Sequence, residues 1–83
     1  MQYLLTCRSL TYAQRGARAL ERAGITGTVS RVPKSISVNG CAYGIVVAGR
    51  HKEKAIMVLT KNALPPEKVF LRRDDGTVTE AEM

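Results

Sequence analysis

Apolar residues along this chain fall into short blocks with two periodicities. Tyr3–Cys7, "YLLTC", is a short apolar run between polar residues and predicts a strand. In "SLTYAQRGARALERAG", Leu10, Ala13, Ala17 and Leu20 recur at helical spacing, with Ser9 as N-cap and Gly24 as stop. Gly16 inside that helix costs about 1 kcal/mol relative to alanine, and it permits close packing on a sheet. "TGTVSRV", Thr26–Val32, alternates and is rich in β-branched residues, predicting a second strand that Pro33 ends. "PKSISVNGC" reads as a loop. Ala42–Val47, "AYGIVV", is a continuous apolar run suited to a buried central strand, and Gly49 breaks it. "RHKEKAIMVLTKNAL" places Ala55, Ile56, Leu59 and Ala63 on one helical face, with Pro65-Pro66 beyond. "KVFLRR" predicts a fourth strand. "DDGTVTEAEM" has a turn signal and then little to bury, so an acidic, disordered tail is expected.

The resulting order, β-α-β-β-α-β, predicts an α+β protein of the ferredoxin-like, split-βαβ type. Right-handed crossovers give a four-stranded antiparallel sheet in the order 4-1-3-2, with two helices on one face. A chain of 83 residues is one domain, expected over residues 1–73 with the tail at residues 74–83. No segment has the length and apolarity of a membrane span. The start lacks the basic region and cleavage signal of a secretory leader, so a cytoplasmic location is expected.

Charge and cysteine content narrow the chemistry. The net charge is +6, yet residues 1–73 carry all 13 Lys and Arg against three acidic residues, Glu21, Glu53 and Glu67. Such a body attracts anions, nucleic acid or an acidic protein. Two cysteines are too few for a secreted disulfide scaffold, and the single histidine has no partner at metal-ligand spacing, so no metal site is expected. There is no phosphate-binding glycine loop and no carboxylate pair. A non-catalytic carrier or binding protein is expected, with no cofactor beyond covalently carried cargo.

The predicted topology gives Cys41 a special place. The first strand ends at Cys7, the first helix starts beside it, and the loop from Pro33 to Cys41 belongs to the same edge. Cys7 and Cys41 are therefore expected to be neighbours. The helix N-terminus and the cations Arg8, Arg31 and Lys34 favour thiolate over thiol at Cys41. Asn39-Gly40 permits a tight turn that leaves the sulfur uncovered. The plain alternative is that either cysteine is a small buried hydrophobe, a reading that suits Cys7, at a strand end, better than Cys41. His51 follows the third strand and is expected at the opposite end of the sheet, as a solvated residue at a helix start. That disfavours a Cys-His nucleophile pair.

The stretch "RVPKSISVNGCAYGIVV", with "YLLTC" and "ERAGI" before it, is similar to the Putative Se/S carrier protein-like family of small bacterial domains. The resemblance rests on the first strand, a helix ending in Ala-Gly-Ile, Val32-Pro33, and a loop with Ser35 and Ser37 leading to Cys41. It covers roughly Tyr3 to Arg72. It implies a carrier that holds sulfur or selenium on Cys41 as a persulfide or selenosulfide, passed between a donor and an acceptor protein. Arg8, Arg31, Lys34, Asn39 and Gly40 would hold the anionic cargo or a partner. Cys7 is a candidate resolving thiol, releasing cargo by forming a disulfide.

Two other classes compete. A small basic RNA-binding module would use an RNA-recognition-like sheet with Tyr3 and Tyr43 as stacking rings around Gly44, although two tyrosines make a poor platform. A structural or regulatory module would dimerise through the apolar sheet face away from the helices. Arg15, Arg18 and Arg22 form a stripe along the first helix, either simply solvated or a docking surface for an acidic partner or RNA.

Overall fold

A computed structural model describes residues 1–33 and 43–81. Strand β1 is Gln2–Cys7, helix α1 Leu10–Arg22, β2 Thr28–Arg31 and β3 Tyr43–Ala48. A single 3₁₀ turn, Gly49–His51, leads into helix α2, Lys52–Lys61; then come β4, Val69–Arg72, and β5, Val78–Ala81. The architecture is α+β, with two helices and an open five-stranded sheet in the order β2-β3-β1-β4-β5. All neighbouring strands are antiparallel.

The expected four-stranded sheet of order 4-1-3-2 is therefore corrected to a five-stranded one, 5-4-1-3-2, by a fifth strand at the edge beyond β4. Residues expected to form a disordered tail supply it. Gly76, at φ +91, makes the turn that an L side chain disfavours. Its N–H donates to the Arg73 carbonyl at 2.9 Å, and Arg73 N donates to the Thr77 carbonyl at 2.9 Å. Asp75 accepts from the Thr77 hydroxyl at 2.7 Å and the Thr77 N–H at 2.9 Å. Those hydrogen bonds, the hydroxyl's first, hold the Asp75 carboxyl below its ordinary pKa. An edge strand needs to bury little, and half-buried Val78 and Ala81 suffice.

Strand alternation sorts the sheet into two faces. Leu5 and Cys7 of β1, Ile45 and Val47 of β3 and Val69 of β4 pack with Ala13 and Leu20 of α1 and Ala55 and Leu59 of α2. The buried face of α1 is thus made by Ala13, Gly16, Ala19 and Leu20, while Leu10, expected in that stripe, is 40% exposed. Gly16 has the role the sequence suggests. A β-carbon there would stand 2.6 Å from Ile45 Cδ1 and 3.0 Å from Leu59 Cδ2, so glycine lets α1 approach both the sheet and α2. On the other face, Leu4, Val46, Phe70 and Val32 form a second cluster.

Both helices end in the same way. In α1, Gly24 N donates to Glu21 O at 3.0 Å and Ile25 N to Leu20 O at 2.9 Å. In α2, Ala63 N donates to Thr60 O at 3.1 Å and Leu64 N to Leu59 O at 2.9 Å. These paired bonds define a Schellman end, which requires a left-handed residue after the cap. Gly24 meets that requirement at φ +81, whereas α2 uses Ala63 at φ +58. Ala63 therefore leaves the helix instead of lying on its apolar face, and α2 stops earlier than its periodicity suggests. We expect Ala63→Gly to raise stability by about 0.5–1 kcal/mol, since it relieves a β-carbon clash that the alanine now bears. Urea denaturation checks this, and an unchanged or lower midpoint would count against it.

Candidate functional site

Connectivity gathers the site at one end of the sheet. Strand β1 ends at Cys7, which pairs with Tyr43 at the start of β3; Tyr43 in turn pairs with Arg31 at the end of β2. Cys7, Tyr43 and Arg31 thus form a row across three strands. Helix α1 starts at the same edge. Ser9 caps it, its hydroxyl accepting from Tyr12 N at 3.2 Å, and its first turn holds no acidic residue. The positive end of the helix is therefore not offset by a neighbouring carboxylate within that turn.

Two of the expected anion-binding cations lie on this edge. Arg31 is exposed, its guanidinium 5.9 Å from the centroid of the Tyr43 ring. Arg8 is exposed too, 5.0 Å from the Tyr12 ring centroid, with Nε 3.7 Å from Glu67 Oε1. That ion pair is open to solvent and weak, so it leaves Arg8 able to exchange Glu67 for another anion. Thr6 fixes the neighbouring approach to β4. Its hydroxyl donates to Lys68 O at 3.2 Å and accepts from Lys68 N at 2.9 Å, while Thr6 O accepts from Glu67 N at 2.8 Å.

Cys41, Lys34, Asn39 and Gly40 lie outside the described residues, and so does the expected contact between Cys7 and Cys41. Cys7 itself is 6% exposed and belongs to the core between sheet and helices. Its thiol makes a long contact, 3.7 Å, with the Leu5 carbonyl. A cleft of about 250 Å³ between Tyr12 and Leu64-Pro65 reaches it from the surface. In a Cys41→Ser protein, we expect Cys7 to react with a bulky aromatic disulfide reagent at least about 100-fold more slowly in the native state than in urea. A native rate within a few fold of the unfolded one would show that the cleft delivers reagents to the sulfur.

The aromatic platform expected for RNA does not form. Tyr3 and Tyr43 stand at odd positions of the β1–β3 register, beside Leu5, Cys7 and Val47, on the face that the helices cover. Tyr3 lies instead beneath the Lys52 ammonium, 5.0 Å from its ring centroid. Gly44 points to the other face, so rings and glycine are separated by the sheet itself. Among the described residues, Leu4 at 4%, Phe70 at 5% and Val46 at 9% exposure on the face away from the helices are buried within one chain.

Arg15, Arg18 and Arg22 are exposed along the outer side of α1. His51 lies in the 3₁₀ turn after β3 and accepts from Arg50 Nε at Nε2, 3.3 Å. That turn joins the end of β1 opposite Cys7, where Gly49 N donates to Met1 O at 3.1 Å. No described helix is long and apolar enough to cross a membrane.

The fold and this edge define a small α+β protein in which a basic sheet end, flanked by a helix N-terminus, borders a cysteine-bearing connection. The chain belongs to the Putative Se/S carrier protein-like family, whose sequence model matches residues 2–71. No curated protein and no solved structure matches it significantly.

Proposed function

We propose that this protein is a non-enzymatic carrier that holds sulfur or selenium on Cys41 and passes it between two protein partners. Family membership over residues 2–71 is the observation that carries the reading, because the matched span includes the thiol-bearing connection. The chemistry asks for little. The Cys41 thiolate attacks the terminal sulfur of a donor persulfide, the donor S–S bond breaks, and the donor leaves as a thiolate. An acceptor nucleophile then attacks the same sulfur and returns Cys41 as thiolate. Neither step changes the overall oxidation state, and neither needs a general acid or base within this chain.

The edge supports that chemistry electrostatically. A persulfide is an anion at neutral pH. Arg8, Arg31 and the uncompensated start of α1 surround the strand end that Cys41 precedes by one intervening residue. Cys7 sits in the packed core, which favours a structural role for it during transfer; a resolving role would require its thiol to leave that packing. The test is loading in vitro. Reduced protein is exposed to a small-molecule persulfide, desalted, and weighed intact. A gain of one sulfur atom, removed by reductant, supports the carrier reading. Absence of the gain while a model thiol protein is loaded in parallel defeats it.

A further inference from the structure

A second surface lies away from the thiol edge. Arg15, Arg18 and Arg22 fall within about 60° of arc on α1 and span about 10 Å along its axis. Ala13, Gly16 and Leu20 on the buried face of the same helix are turned away from them, while buried Ala19 borders them. Among the described residues, none of the three has an ion-pair partner. All three line one groove of about 320 Å³ between α1 and the end of α2, whose other lining residues are Ala19, Asn62 and Leu64. One N–H of the Asn62 amide donates to Val58 O at 2.8 Å. The groove therefore offers a guanidinium rim over a partly apolar floor.

We propose that this groove docks an acidic amphipathic helix of a protein partner. Three unpaired guanidinium groups at i, i+3 and i+7 match carboxylates at the same spacing on a helix laid alongside, each pair able to form two parallel hydrogen bonds. The half-buried Leu64, beside the nearly buried Ala19, receives the apolar stripe that such a helix carries beside its carboxylates. Nucleic acid fits less well. Among the described residues no aromatic side chain lines the groove, so bases find no stacking surface there and only phosphates are contacted. Binding at this groove does not depend on cargo; only the identification of the partner as a sulfur donor or acceptor rests on the carrier reading.

Fluorescence anisotropy tests the groove with a labelled helical peptide bearing three glutamates in that register beside leucines. The combined variant Arg15→Ala, Arg18→Ala, Arg22→Ala should bind at least about tenfold more weakly at low salt. A control with the same charge loss elsewhere, Arg50→Ala, Lys54→Ala, Arg73→Ala, should lose less than about threefold. Equal losses in both would reduce the effect to overall charge and overturn the proposal. Tighter binding of a single-stranded RNA of equal charge, lost in the α1 variant alone, would overturn it in favour of nucleic acid. Should the α1 variant misfold, NMR shifts induced by the peptide in wild-type protein decide: they must cluster on α1 and residues 62–64. The carrier reading stays separable. Cys41→Ser should bind the peptide normally, and the α1 variant should still take up sulfur from a small-molecule persulfide. Failure of wild-type protein to load would defeat the carrier reading and leave the groove untouched.

Discussion

Cys41→Ser is expected to abolish every reducible adduct of one sulfur or selenium atom on protein purified without reductant from sulfur- or selenium-fed cells. The loss should be complete, because a serine hydroxyl stays protonated near neutrality and forms no bond to sulfane sulfur under these conditions. Cys7→Ala, by contrast, should retain most of the adduct, since Cys7 is 6% exposed and packed among Leu5, Ala13 and neighbouring core residues. Charge changes at the edge should act on loading rate. Arg8→Ala and Arg31→Ala each remove a cation from the strand ends around Cys7 and Tyr43, and each should slow loading by a few fold at low salt. High salt should shrink that difference. An adduct that survives in Cys41→Ser and disappears in Cys7→Ala would transfer the carrier role to the core cysteine. An adduct absent from every protein, including wild type, would leave the family description without a chemical counterpart in this chain.

Gly44→Val is expected to have the largest effect on stability, a loss of about 3 kcal/mol. Gly44 pairs with Thr6 in the β1–β3 ladder. A β-carbon built there stands 2.8 Å from the Leu5 carbonyl oxygen and 2.9 Å from Leu4 Cδ1. The carbonyl belongs to the central strand and cannot move without parting β1 from β3. Valine adds two methyl groups to that collision on a face where Leu4 and Val46 are already buried. Gly44→Ala, with the β-carbon alone, should lose roughly half as much. For a domain of this size, total stability is about 5–10 kcal/mol, so the valine variant should melt far earlier. Urea midpoints give the comparison. A Gly44→Val protein within about 0.5 kcal/mol of wild type would mean that the strands are spaced more loosely than described.

The elements were legible where local chemistry is strong. Ser9 and Gly24 bracket α1 as their types suggest, and β3 is buried from Gly44 to Val47. The departures from expectation have physical causes. Strand β5 is hard to read in the sequence because "TVTEA" is mostly polar, yet an edge strand needs only Val78 and Ala81 to pack, and Asp75-Gly76 is itself a hairpin signal. Strand β2 is shorter than its alternation suggests. A β-carbon at Gly27 would stand 2.8 Å from Ile45 Cγ2, so that residue serves close packing against β3. Ala63 carries no turn signal of its own; the Schellman bonds impose its left-handed conformation. The side of Tyr3 follows from parity, since it alternates in step with Leu5 and Cys7, whereas that of Tyr43 needs the β1–β3 register. At the candidate site, Arg8, Arg31 and the start of α1 meet at one edge, as the topology implies. The groove behind Arg15, Arg18 and Arg22 was not legible, because its second wall comes from the end of α2, more than forty residues on in the sequence.

The position of β1 has a consequence for how the chain acquires its fold. Its two neighbours in the sheet are β3 and β4, which begin at Tyr43 and Val69. The first strand of this sheet in sequence order thus has no hydrogen-bonded partner nearby in sequence, and its second follows only after β3 and α2. Ladders of this kind close long loops before they return any stabilisation, which slows the search for the native state. The sheet therefore does not build up strand by strand in sequence order. Without residues 69–72, β1 has β3 as its neighbour and one open edge; with them, it becomes the centre of the sheet.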